Sequence, residues 1–109
     1  MDKALKALDG DRELLGECLI MLGQDLPGRM EELRGAIVTG DWSRAATAAH
    51  TIKGSVAVVG ASDMKEAALG VELAAKQEDE QAVLDRLEEL QEQWQRLEEA
   101  IDRASQGEL

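Results

Sequence analysis

The sequence contains neither phenylalanine nor tyrosine, and its only aromatic residues are Trp42 and Trp94. A core without those rings must be assembled from Leu, Ile, Val, Met and Ala. That composition suits helix packing better than a sheet, where aromatic and β-branched side chains are favoured. Cysteine is nearly absent too: Cys18 stands alone, so no internal disulfide can form and a reducing, cytoplasmic setting is expected. With a single histidine and a single cysteine, the usual zinc sites cannot be built. Positive charge is scarce, with 12 Lys and Arg against 23 Asp and Glu and a formal net charge of -11. Such a chain repels phosphate backbones and anionic lipid, so neither nucleic acid nor a membrane surface is an expected partner. No run approaches the ~18 apolar residues of a membrane span, and the opening Met1-Asp2-Lys3-Ala4-Leu5 lacks the apolar centre of a signal peptide. Export and insertion are therefore not expected. No Gly-rich phosphate loop and no Ser-His-Asp set is indicated.

What the chain does have is a globular balance, 44% hydrophobic and 32% charged over 109 residues. That length gives a single domain, 1–109, with residues 105–109 expected to fray. Four points of punctuation divide it: Asp9-Gly10-Asp11, Gly40-Asp41, Gly60-Ala61-Ser62 and Gln77-Glu78-Asp79. In the second and third, a glycine suited to a left-handed helix end precedes an Asp or Ser suited to cap the next helix. From Arg12 to Thr39 the residues Leu15, Leu19, Leu22, Leu26, Met30, Leu33 and Ile37 recur at steps of three and four, which marks one buried stripe. The one proline, Pro27, predicts a kink or break near Leu26.

Two shorter helices are predicted next, Trp42 to Val59 and about Asp63 to Lys76, the latter with Met64, Ala68, Val71 and Ala75 on its inner side. A long amphipathic helix follows, with Val83, Leu87, Leu90, Trp94, Leu97, Ile101 and Ala104 on its stripe. A short leading helix around Asp2 to Leu8 is weakly marked. Short turns favour antiparallel neighbours, so the expected fold is all-α, an up-and-down four-helix bundle with a possible short N-terminal helix. Cys18, Met21, Met30, Met64 and Trp94 read as core filler, and Trp42 as the cover for one end of the bundle.

The chemistry concentrates in Ala49-His50-Thr51-Ile52-Lys53-Gly54-Ser55. Residues three and four apart are neighbours on a helix, so His50, Lys53 and Gly54 share one face. At about 100° per residue, Ala45, Ala49, Ile52, Val56 and Val59 form the core face and His50 lies about 140° from its centre, facing solvent. Around it fall Ala46, Gly54 and Ala57, small enough for a partner's backbone to come close. An interior helical glycine costs about 0.5–1 kcal/mol relative to alanine, and close approach to the imidazole is a reason to keep Gly54. A neutral imidazole is a nucleophile, which suggests a phosphoryl carrier: His50 takes the group, Lys53 offsets its charge and Gly54 leaves room for the donor.

That heptapeptide, followed by Gly60-Ala61 and Val71-Glu72 and preceded by Leu8-Asp9-Gly10-Asp11, Leu26-Pro27 and Gly40-Asp41, resembles the histidine-containing phosphotransfer (HPt) domain of bacterial phosphorelays. The resemblance covers nearly the whole chain. It implies that His50 exchanges a phosphoryl group with the aspartate of a response-regulator receiver domain, alone or within a hybrid sensor kinase. It further implies that Lys53 assists, that Gly54 permits docking and that the carrier has no kinase or nucleotide site of its own. No cofactor is expected on the chain, the Mg²⁺ belonging to the receiver, and a monomer is expected. In some members a glutamate matching Glu72 holds the histidine's other ring nitrogen. The phenylalanine often present before the Leu-Pro pair is missing, Met21, Leu22 and Gly23 standing there, so the docking surface differs in detail. Two other readings compete. One is a non-catalytic helical interaction bundle, supported by the regular stripe from Val83 to Ala104. The other is a kinase dimerisation domain, which would need a linked nucleotide-binding domain.

Overall fold

A computed structural model describes residues 12–107. Four helices account for nearly all of them: α1 Arg12–Val38, α2 Trp42–Ala57, α3 Ser62–Lys76 and α4 Glu80–Ser105. No strand occurs among the described residues. The helix expected near Asp2 to Leu8, the Asp9-Gly10-Asp11 turn and the end of the tail expected to fray lie outside them. Each helix packs on the next and α4 returns to α1, so the four form a closed bundle whose diagonals, α1 with α3 and α2 with α4, make no backbone contact.

The three connections are built alike. Gly40, Gly60 and Glu78 adopt left-handed φ values of 71°, 68° and 54°. In each turn that residue and the next donate back into the last helical turn, Gly40 N to Ile37 O (3.1 Å) with Asp41 N to Ala36 O (2.9 Å), and Glu78 N to Ala75 O (3.0 Å) with Asp79 N to Ala74 O (3.2 Å). Gly60 N to Ala57 O and Ala61 N to Val56 O repeat the pattern. This is the Schellman arrangement, which satisfies carbonyls the helix leaves open. Two of the turns then cap the following helix at once: Asp41 accepts from Arg44 N and Asp79 from Ala82 N, both at 3.1 Å. At the third, Ser62 is not the cap; Ala61 holds that place without a side-chain hydrogen bond, and Ser62 is the first helical residue.

Glu78 is the one non-glycine left-handed residue among those described. The conformation costs an L-residue roughly 1–2 kcal/mol, offset in part by the greater unfolded-state freedom of glycine. Glu78→Gly is therefore expected to raise the urea midpoint at constant m-value, by about 0.5–1 kcal/mol. A lowered midpoint would show that the exposed Glu78 side chain contributes more than its backbone strain.

The core is the set of stripes read from the sequence. Leu15, Leu19, Leu26, Met30 and Leu33 from α1 meet Ala45, Ala49, Ile52 and Val56 from α2, Val71 from α3, and Val83 and Leu90 from α4, all buried. Trp94 is buried, while Cys18 and Trp42 pack partly covered against the cluster. Two expectations need correction. First, of the kink or break expected near Leu26, no break occurs: α1 runs on through Pro27. Proline removes one helical hydrogen bond, but Leu22, Leu26, Met30 and Leu33 on both sides of it bury in the same core, which offsets that loss and keeps the segment helical. Second, Met21 is not core filler; it is 66% exposed. It sits one residue off the Leu15, Leu19, Leu22 stripe and so turns outward. Its neighbour Gly23 faces inward, where an added Cβ would meet Ile101 Cγ2 at 2.8 Å, so α1 and α4 approach closely there.

Candidate functional site

The site lies where α2 runs against α3. Small buried residues at 45, 46 and 49 line the α2 flank toward α3, and His50, on the outward side of α2, has a side chain 66% exposed. Facing it from α3 is Glu72, the one charged residue buried among those described, with 4% of its surface exposed. Its carboxylate is fully engaged. Lys53 Nζ donates to Oε1 at 2.9 Å, Lys76 Nζ donates to Oε2 at 3.1 Å, and His50 Nδ1 lies 3.2 Å from Oε2 and 3.4 Å from Oε1.

Burial pushes the Glu72 carboxyl group up, but the hydrogen bonds from Lys53, Lys76 and His50 and the Lys53 charge outweigh it and hold the group at about 2, against an ordinary 4.5. Glu72 is thus ionised at neutral pH and can only accept. In the neutral imidazole Nδ1 must then carry the ring proton, which leaves the lone pair on Nε2. Two helices and one buried carboxylate so determine a tautomer.

The rest of the α2 surface is chemically quiet. Thr47, Thr51 and Ser55 each donate a hydroxyl to the carbonyl four residues back, at 3.1, 3.0 and 3.0 Å. Gly54 is exposed, and a Cβ added to it would meet nothing within 4 Å. Ala57 is exposed as well.

Of the residues singled out by sequence, His50, Lys53 and Glu72 therefore come together, with Gly54 and Ala57 open beside them. Ala46 does not join the open surface: it is 8% exposed. A helical wheel with one buried face places it outward, but α2 has a neighbour on each flank. Ala46 lies on the α3 side, in a shallow groove with Trp42, Ala75 and Lys76. Lys76 is the participant the sequence reading missed. Its signal was available, because Glu72 and Lys76 stand four apart on one helix. Among the described residues no three His, Cys, Asp or Glu side chains come together as a metal site, and no helix is long and apolar enough to cross a membrane.

Comparison with known families decides what this geometry belongs to. The family model of the Hpt domain matches residues 17–107, which takes in α1 from residue 17 onward, all of α2, α3 and α4, and the whole His50 site. The chain belongs to the Hpt domain family. No curated protein and no solved structure gave a significant match. Hpt domains are phosphocarrier modules of phosphorelays, not kinases, and they work with response regulators and kinases.

Proposed function

We propose that this Hpt domain carries a phosphoryl group on Nε2 of His50, exchanging it with the aspartate of a response-regulator receiver domain in a cytoplasmic phosphorelay. The observation that carries the reading is the His50 Nδ1 contact with the buried, ionised Glu72, because in the neutral imidazole it puts the proton on Nδ1 and the lone pair on Nε2, in a side chain that is 66% exposed. In the forward step the Nε2 lone pair forms the N–P bond while the bond from phosphorus to the partner's aspartyl oxygen breaks, and that oxygen leaves with the electron pair. The proton stays on Nδ1. The imidazole gains positive charge, which the Glu72 carboxylate stabilises, and Lys53 offsets the charge of the phosphoryl group. The reverse step returns the group to a receiver. A divalent cation such as Mg²⁺ belongs to the receiver's acidic pocket and supplies further charge neutralisation there.

Gly54 and Ala57 leave a low surface beside His50 across which the partner can reach it. The chain contributes a nucleophile and its orientation; the energy of the phosphoryl bond comes from the donor. The test is incubation with a receiver domain carrying radiolabelled phosphate. Acid-labile, base-stable label is expected on the parent chain and none on His50→Gln. Label persisting on that variant would overturn the assignment.

A further inference from the structure

The distribution of charge over the bundle is uneven in a way that the chemistry at His50 does not require. The 16 residues of α2 include Arg44 and Lys53 and no Asp or Glu. Each of the other helices carries more acidic than basic residues, and α4 is the extreme, with eight Asp or Glu against three Arg. Since α4 touches α1 and α3 but not α2, the most acidic helix lies diagonally opposite the one basic helix.

Around α2 the two cations bracket the nucleophile. Lys53 lies about 60° from His50 on the α3 side and Arg44 about 120° on the α1 side. The exposed ridge between them, Ser43, Thr47, Gly54, Ala57 and Val58, is uncharged. Lys53 is tied to Glu72, whereas Arg44 is held loosely: its Nε is 3.7 Å from Glu32 Oε1, both side chains are about half exposed, and it borders a shallow groove with Arg29 and Thr51. A surface pair of that kind contributes little to stability, so the Arg44 guanidinium can exchange Glu32 for an acidic group on a partner at small cost.

Resting on the phosphocarrier reading, we propose that α2 is an electrostatically marked docking ridge for a protein partner whose contacting rim is acidic, with Arg44 as its orienting residue. A chain of net charge -11 would on average repel an acidic partner. At the ~8–10 Å range that salt permits, however, the approaching surface senses the local field more than the total charge. Approach over α2 is favoured, approach over α4 is opposed, and His50 is presented to the partner. Such steering acts on association rates and fades with ionic strength.

The experiment measures the second-order rate of transfer from a phosphorylated receiver domain with an acidic rim, at low and high salt, for the parent chain, Arg44→Glu and Glu98→Lys. Circular dichroism verifies the fold of each. Arg44→Glu is expected to be about 10-fold slower at low salt and to converge on the parent rate at high salt. Glu98→Lys, an equal and opposite change on exposed α4, is expected to stay within about twofold of the parent. The proposal is overturned if Arg44→Glu matches the parent at low salt, if its defect persists undiminished at high salt, or if Glu98→Lys changes the rate as much. None of these outcomes touches the phosphocarrier reading, which fails only if the parent chain takes no label on His50.

Discussion

Replacing Gly54 by leucine is expected to make the protein more stable and a much poorer phosphoryl carrier. The two effects have separate causes. Gly54 occupies the interior of α2, where glycine is worse than leucine by about 0.5–1 kcal/mol because it loses more backbone freedom on folding. Nothing stands within 4 Å of a Cβ placed there, so leucine brings no clash inside the fold and the gain is realised. The same side chain projects from the surface one turn beyond His50, about 5–6 Å between Cβ positions, into the space the incoming phosphoryl group and its carrier must use. A displacement of about 1 Å from the reactive geometry costs on the order of 100-fold in rate, and that is the expected slowing of transfer at saturating partner. Urea denaturation and single-turnover transfer on the same preparation measure both quantities. Gly54→Ala should show most of the stability gain with a much smaller kinetic defect. Transfer by Gly54→Leu at the parent rate would remove the argument that Gly54 serves close approach.

The second large effect is carried by Glu72. Because its pKa is about 2 in the folded state and about 4.5 when unperturbed, the folded protein takes up this proton later than the unfolded chain as the pH falls. The stabilisation is complete above about pH 4.5 and is lost progressively as the pH drops toward 2. The shift corresponds to about 2–3 kcal/mol, the lower figure allowing for the solvation of the exposed Lys76 and His50 partners. Glu72→Gln should lose about that much at pH 7 and, with no carboxyl group left at this position, should lose this step of the acid profile. A parallel profile for parent and variant would show that the acid dependence comes from other carboxylates.

The variant should also change the imidazole. An amide can donate as well as accept, so Nδ1 is no longer compelled to hold the proton and the population with an Nε2 lone pair falls. His50 is the only histidine, which makes its nitrogen resonances unambiguous in an NMR spectrum. A mixed tautomer population together with slowed transfer is the expected signature of lost positioning. Slowed transfer with an unchanged tautomer would place the effect on docking instead.

These two residues also show how unequally the site could be read in advance. His50, Lys53 and Gly54 belong to one helix, and their relation follows from helical periodicity alone. Glu72 was suggested by family resemblance, and only its place about 40° from Ala68 around α3 hinted at burial. Lys76 required knowing that the Glu72 carboxylate has two oxygens to satisfy, one of which accepts from the last turn of α3. Ala46 was assigned to open surface because a single amphipathic wheel has one inside and one outside, whereas α2 is flanked by both α1 and α3.

By itself, then, the amino-acid order determined everything that repeats along a helix: the four apolar stripes, the glycines at two left-handed turns, and the exposed face bearing His50, Lys53 and Gly54. Those features depend on neighbours a few residues away. The tertiary structure decided what depends on how the helices are rotated and set against one another. It carried α1 through Pro27 and buried Ala46. Above all, it put an ionised carboxylate from α3 beside the imidazole of α2, residues 22 apart in sequence. Packing makes that choice, because helical period relates residues within a helix and says nothing about the register between two of them.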